Sequence, residues 1–328
     1  MIIETHSRLH ITLIDLNGSL GRIDGGVGLT IKEPNLILKA ETIEGNIEVV
    51  FEESGLSKEL MDEYRDKIEI SAKKIIEFSK IDTGFKFTLK KTYPAHSGLG
   101  SGTQISLAVG KIILKLQNQD MNASKIAKIV GRGGTSGIGV RAFDHGGFII
   151  DGGHRIDEKP DFLPSSASTA SPAPLITRYD FPEDWNIILA IPDVPAGASG
   201  SKEVNIFQKY CPIPLNEVQR LSHILLVKMM PSVVEEDLDS FGDSVNMIQN
   251  TGFKKIELEL QDPIINEIIE NMRSEGAAGV GMSSFGPTVY AITDDKTKGI
   301  SRAAKDTMED VGGKLIITKA WNNGFIIK

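Results

Sequence analysis

The stretch Tyr93-Pro94-Ala95-His96-Ser97-Gly98-Leu99-Gly100-Ser101-Gly102-Thr103-Gln104 decides how this chain folds. Ahead of it, Phe85, Phe87 and Leu89 alternate with Lys86, Thr88 and Lys90, the period of two that marks a strand over Phe85–Lys91. Behind it, Ile105–Leu116 is an apolar run with helical character. Strand, glycine loop and helix in this order present free backbone N–H groups and the positive end of a helix dipole to an anion. Gly98, Leu99, Gly100, Ser101, Gly102, Thr103 and Gln104 are therefore the expected phosphate-binding segment. The Ser101 hydroxyl is a candidate ligand for magnesium carried by the phosphate. No Lys-Ser/Thr pair follows the glycines, so this is not a Walker loop, and the spacing does not fit the dinucleotide fingerprint. Glycine spacing taken alone would equally describe a plain turn between strand and helix.

The pattern Pro94-x-x-x-Gly98-Leu99-Gly100-Ser101-Gly102 followed by a helix resembles the second motif of the GHMP kinase superfamily, which includes galactokinase and the homoserine, mevalonate and phosphomevalonate kinases. The superfamily's third motif is matched late in the chain by Gly279–Pro287, GVGMSSFGP, where Ser283 and Ser284 are expected near phosphate. Two motifs in the right order extend the resemblance over essentially the whole chain. It implies an α+β, two-lobed fold with a ribosomal-protein-like first lobe and a ferredoxin-like second lobe. The expected division is 1–160 for the first lobe, 161–178 for a linker or mobile loop and 179–328 for the second lobe.

Composition agrees with an enzyme of that size. The chain has 328 residues, with 36 Lys and Arg against 44 Asp and Glu, a net charge of −8. That balance argues against a nucleic-acid partner. No apolar run reaches the ~18 residues of a membrane span, and no secretory leader is recognisable. The single Cys211 excludes an intrachain disulfide and any multi-cysteine metal site. A cytoplasmic location is expected.

Read in order, Ile2–Ile14 alternates as a strand with Leu9, Ile11 and Leu13 on one face and His6, Arg8, His10 and Thr12 on the other. The second face is either solvated or lines an anion cleft through Arg8 and His10. Asp15–Gly28 reads as a long glycine-rich loop with Asp15 and Asn17 as polar contacts, followed by short strands at Leu29–Lys32, Leu36–Ala40 and Ile47–Glu52. Ser57–Ser79 reads as an amphipathic helix whose charges face solvent, and Ala123–Val130 as a short helix. Pro160–Pro174 reads as a linker or lid. Val194–Lys202 is either a turn or a second anion loop. Beyond it, helices are expected at Asn216–Met230, Val233–Gln249, Pro263–Arg273 and Lys296–Val311, with strands at Trp185–Pro192, Thr288–Ile292 and Lys314–Ala320.

Gly131–Gly153 departs from the kinases. Their G-x-x-S-G-x-D pattern is matched by Gly133-Gly134-Thr135-Ser136-Gly137-Ile138, but the aspartate that commonly serves as base is replaced by Gly139. Ser7–His10 with Ile14–Gly18, Arg132–Arg141 and His145–His154 resemble one branch of the superfamily, the β-ribofuranosylaminobenzene 5′-phosphate synthases of archaeal methanopterin biosynthesis. The resemblance implies a magnesium-dependent glycosyltransferase acting on phosphoribosyl pyrophosphate and 4-aminobenzoate (or 4-hydroxybenzoate), and makes a homodimer the expected assembly.

Such a reaction asks for anion clamps more than for a strong base. Arg8, His10, Asp144 and His145 are the expected catalytic residues, with Asp144 and Ser101 as metal ligands. Asp15, Asn17, Thr135, Ser136, Arg141 and Arg155 are the expected substrate contacts. Arg132 is a further clamp, with Asp151 and His154 as lesser candidates. An ATP-dependent kinase with Asp144 as displaced base, and a non-catalytic phosphate sensor, are the competing readings.

Overall fold

The structure, a computed structural model, describes every residue except 166, 196 and 199. The first lobe is a mixed sheet. β1 (Ile2–Asp15) pairs antiparallel with β2 (Arg22–Ile43), β2 with β4 (Gly84–Lys91), and β3 (Ile47–Phe51) runs parallel to β4 at the edge. β5 (Phe148–Asp151) and β6 (His154–Arg155) pair with the early part of β2, and β7 (Leu175–Tyr179) pairs with β5. Helices α1 (Lys58–Ser79), α2 (Ser101–Leu116), α3 (Ala123–Val130) and α4 (Ile138–Asp144) pack against this sheet.

Helix α2 is the axis of the lobe. Residues 104–114 are all buried, so it is enclosed on every side by β1, β2, α1, α3 and α4. Its Lys111 is buried too, and reaches out to Asp120 Oδ1 at 2.6 Å and the Met121 carbonyl at 2.8 Å.

The second lobe is a four-stranded antiparallel sheet in the order β11-β8-β10-β9, formed by β8 (Asn186–Pro192), β9 (Gly279–Met282), β10 (Val289–Thr293) and β11 (Gly313–Thr318). Its helices are α5 (Gly200–Tyr210), α6 (Leu215–Ile224), α7 (Met230–Val234), α8 (Leu238–Gln249), α9 (Gly252–Glu259), α10 (Pro263–Ser274) and α11 (Thr297–Thr307). A π-helical turn over Leu225–Met229 joins α6 to α7. Met229 is buried, as expected of a core methionine. The aromatic cluster Phe148, Phe181, Trp185 and Phe241 binds the lobes into one core, with edge-on contacts of 5.0–6.1 Å.

Several expectations need correction. The loop after β1 is short, because Gly25, Gly26 and Gly28 lie inside β2. The expected strands at Leu29–Lys32 and Leu36–Ala40 are parts of that one long strand. The helix read over Val233–Gln249 is interrupted at 235–237, where Glu236 has a φ of +58°. Helices α4, α5 and α9 were not anticipated. The segment 160–174 is no linker between lobes, since β7 beyond it rejoins the first sheet. The chain returns there once more at its end, where β12 (Ile326–Ile327) pairs with β1. The first lobe is therefore not a contiguous 1–160 unit.

Candidate active site

A cleft of about 300 Å3 opens between the lobes at the head of α2. Gly100 precedes the helix with a φ of +82° and carries no capping side chain. Thr103 N–H and Gln104 N–H bond back to the Gly100 carbonyl, while the Ser101 and Gly102 amides have no partner among the described residues. This is an anion seat made of backbone. Two cations complete it. Lys67 Nζ and Arg132 Nη2 stand 3.4 and 3.5 Å from where a side chain on Gly102 would begin. Burial lowers the pKa of Arg132, with the Glu63 carboxylate opposing that fall. Glu63 also pairs with Lys67 and lies 2.9 Å from His96 Nε2.

The loop is held from beneath and behind. The Arg8 guanidinium donates to the Gly98 carbonyl, and Arg8 N–H to the Leu99 carbonyl at 3.2 Å. Burial lowers Arg8 to about 10, which leaves it charged at neutral pH. The Tyr64 hydroxyl of α1 donates to the Tyr93 carbonyl at 2.8 Å. From the second lobe, Ser283 Oγ accepts from His10 N–H at 3.0 Å and donates to the Gly98 carbonyl at 2.7 Å. Thr288 Oγ1 donates to the Ser97 carbonyl at 2.6 Å, and Ser284 N–H to the His10 carbonyl at 2.9 Å. Ser283 is thus a stitch between lobes, and Ser284 faces the cleft.

His10 lines the cleft with its Nε2 3.1 Å from Ser136 Oγ. Burial, then the charges of Arg8 and Lys254, hold its pKa well below the ordinary histidine value, so it is a neutral imidazole. Behind Ser136 the Asp151 carboxylate accepts from Gly137 N–H at 2.8 Å and Gly153 N–H at 3.0 Å. Burial raises Asp151 to about 6. Thr135 also lines the cleft, donating to the Leu163 carbonyl at 2.5 Å and accepting from Lys159 Nζ at 2.8 Å. Lys159 and His154 both clasp the buried Asp24, at 2.9 and 2.7 Å. His154 is therefore a structural anchor rather than a proton donor.

Gly139 belongs to α4, where a Cβ would stand 3.2 Å from the Thr103 methyl group, and its carbonyl accepts from Gln104 Nε2 at 2.9 Å. Gln104 is wholly buried and joins α2 to α4 instead of meeting a ligand.

The remaining expected residues lie elsewhere. Asp144 ends α4 with its carboxylate accepting from Ala123 N–H at 3.2 Å, and His145 is exposed at the same end. Neither lines the cleft, so both the catalytic and the metal-ligand expectations for Asp144 are corrected. Arg141 spans Ser124 Oγ and the Ala173 carbonyl, each at 2.9 Å. Arg155 pairs with Asp157 on the surface. Asp15 Oδ1 closes its own turn by accepting from Asn17 and Gly18 N–H, and Asn17 donates to the Ile213 carbonyl at 2.7 Å. These four groups build structure outside the cleft. The expected second anion loop, Val194–Lys202, lies partly outside the described residues.

The second lobe supplies groups that motif reading missed. Lys254 of α9 is fully buried, donating to the Met282 and Ser284 carbonyls at 3.3 and 3.1 Å and pairing with Glu257, which lines the cleft. Glu203 of α5 lines it as well, and burial with the nearby Glu257 charge raises it from 4.5 to about 7. A carboxyl raised in this way favours the fold while protonated. Its stabilising contribution is complete below its unfolded value and is lost as pH rises through about 7. Thermal stability is expected to decline from about pH 5 to pH 8, and calorimetry of Glu203→Gln should show a shallower decline. Lys67 was assigned to a solvated face, yet it is half-buried, one turn from Tyr64 and from Ser71 at the margin of the buried stripe of α1. That spacing was the available signal.

The GHMP kinases N terminal domain model matches residues 66–147 and the GHMP kinases C terminal model matches 229–310. The beta-ribofuranosylphenol 5′-phosphate synthase of Methanothermobacter thermautotrophicus is 54% identical over 100% of this chain and 99% of its own length. The chain belongs to the beta-ribofuranosylphenol 5′-phosphate synthase family. A second member of the synthase family, from Methanocaldococcus jannaschii, is 49% identical over 99% of both chains. Among solved structures, L. major mevalonate kinase in complex with R-mevalonate superposes with a TM-score of 0.70 at 14% identity, covering 98% of this chain and 96% of that one. The synthase family is thus built on the two-lobed α+β kinase fold. The branch expected from the sequence is the right one, with a phenol in place of an aminobenzene in the relatives' name.

Proposed function

We propose that the chain transfers the ribosyl 5-phosphate of phosphoribosyl pyrophosphate to the ring carbon of 4-hydroxybenzoate, or of 4-aminobenzoate, with loss of carbon dioxide and pyrophosphate. The relatives' phenol name puts the hydroxy acid first. The observation that carries the reading is the α2 amide seat flanked by Lys67 and Arg132, with Gly139 rather than a carboxylate at the point where α4 meets it. Such a seat holds a diphosphate and stabilises the charge that grows on it as it leaves. An alcohol phosphorylated by ATP would need a proton acceptor next to the amide seat, where α4 presents only Gly139; among the described residues the cleft's free carboxyl, Glu203, belongs to the apolar wall instead. Asp144, the displaced base of the kinase alternative, is turned away from the cleft.

The ring's para substituent pushes electron density onto the carbon that bears the carboxylate. That carbon bonds to the anomeric carbon as the diphosphate departs, and loss of carbon dioxide restores the aromatic ring. Lys67, Arg132 and the Ser101 and Gly102 amides hold the leaving group, while Arg8 keeps their loop in place.

Magnesium belongs to the proposal as a companion of the diphosphate. Among the described residues no group of three or more His, Cys, Asp or Glu side chains is arranged to hold a metal. Of the two expected ligands only Ser101 is at the cleft. This suits an ion held chiefly by substrate phosphates and water, with one protein hydroxyl. Its chemistry there would be neutralisation of diphosphate charge.

A homodimer and a cytoplasmic location remain part of the proposal, to be checked by light scattering and cell fractionation. Among the described residues no helix is long and apolar enough to cross a membrane.

The test mixes purified protein, magnesium, phosphoribosyl pyrophosphate and 4-hydroxybenzoate. Equal release of carbon dioxide and pyrophosphate is expected; absence of both discards the proposal. Arg132→Ala should lower kcat/KM for the diphosphate donor by about 10- to 100-fold, the value of one charge-assisted contact, with the melting temperature nearly unchanged. An unaltered kcat/KM would remove Arg132 from the leaving-group site.

A further inference from the structure

We propose that Glu203 takes the phenolic proton of the acceptor ring, which lies against the apolar wall that this residue shares with Leu13, Phe207 and Phe285. The inference rests on the function proposed above and names the acceptor's subsite. The cleft has two chemically distinct walls. One is the backbone seat with Lys67 and Arg132, contributed by the first lobe. The other gathers Leu13, Phe207 and Phe285, which belong to one apolar cluster where α5, α9 and the end of β1 meet. Phe253 ties this wall together, with its ring 4.8 Å from Phe207 and 5.9 Å from Phe285. A flat aromatic acid fits the second wall as a diphosphate fits the first.

Glu203 stands on that wall one helical turn from Phe207, on the same face of α5. Among the described residues it has no hydrogen-bond or ion-pair partner, whereas its neighbour Glu257 is committed to Lys254. The other charged or titratable groups lining the cleft are Arg8, His10, Lys67, His96, Arg132 and Glu257; of these Glu257 is the one whose charge acts on Glu203, and His10 is neutral. Burial and the Glu257 charge bring Glu203 to about 7, close to the working pH of a general base.

A phenol titrates near ~10 and is a weak electron donor until its proton leaves. The Glu203 carboxylate accepts that proton, and the O–H bonding pair moves through the ring. The ring carbon bearing the carboxylate forms its bond to the anomeric carbon, and the anomeric C–O bond breaks with its electron pair leaving on pyrophosphate. The bond to the carboxylate then breaks, its pair returns to the ring, and carbon dioxide departs. The phenolate oxygen recovers the proton from Glu203, so protons and electrons balance without a further reactant.

The experiment compares two acceptors, 4-hydroxybenzoate and 3,5-difluoro-4-hydroxybenzoate, at a pH about one unit above the ionisation of the second and still below that of the first, so that only the second is largely phenolate. For Glu203→Gln, pyrophosphate release with the first should fall by roughly 100-fold, a common value for a general base. The loss with the second should be several-fold at most. In the wild type, kcat/KM for 4-hydroxybenzoate should rise with pH through about 7, and the variant should lack that limb. Glu203→Asp, which keeps a carboxylate, should retain it. Equal losses with both acceptors, an unchanged rate with 4-hydroxybenzoate, or loss of the limb in Glu203→Asp would each overturn the assignment. A wild type that releases neither product with either acceptor would fail the proposed function itself, and the assignment with it.

Discussion

Gly98→Ala is expected to abolish pyrophosphate release, by about 1000-fold or more, and to destabilise the protein by about 4 kcal/mol. Gly98 has a φ of +80°, and a Cβ there would stand 2.2 Å from the backbone carbonyl oxygen of Ser283. The left-handed conformation alone costs ~1 kcal/mol or more for an alanine. The contact is worse, because the atom it meets is backbone and cannot rotate away. Relief requires the third motif to separate from the phosphate loop, which breaks the Ser283 bonds to both Gly98 and His10. Urea denaturation should report the stability loss. A change below about 1 kcal/mol would mean that the two motifs part freely, and that the amide seat does not depend on their contact.

Lys254→Met should destabilise by about 3–5 kcal/mol, because it leaves Glu257 buried without its counter-charge. Lys254 is 0% exposed and Glu257 3%, and the ammonium also serves the Met282 and Ser284 carbonyls. Burial lowers the lysine pKa and raises that of the glutamate, each opposed by the partner's charge. Removing both charges, in Lys254→Met with Glu257→Leu, should restore most of the loss. A double-mutant cycle by chemical denaturation measures the coupling. Strictly additive single losses would show that the pair contributes nothing as a pair.

What could be read from the chain was chiefly what lies close along it. The phosphate loop needs strand, glycines and helix in succession, so Gly98–Thr103 were legible as a unit. The polar face of β1 was legible as a set of residues but not as a location. His6 and Thr12 alternate like solvent-facing groups, yet both are buried because further elements cover the sheet's second side. Asp144, His145 and Arg155 misled for a related reason. Asp144 and His145 follow Thr135 and Ser136 closely in sequence, but α4 carries its C-terminal end away from the cleft, and Arg155 lies beyond β5 on β6 at the surface, so proximity along the chain was not proximity in space. The second lobe's contribution was the least visible. Lys254 and Glu257, three residues apart on a charged helix, resemble any exposed pair. Only the fold shows that α9 turns this face inward.

The stitching of Ser97, Gly98 and His10 to Ser283, Ser284 and Thr288 has a consequence for traffic through the site. The cleft's base is a joint between lobes secured by several bonds, so it cannot gape without rupturing them together. Admission of two substrates and escape of three products then fall to the parts of the lining outside that joint, among them Pro164, Ser165 and Ala198.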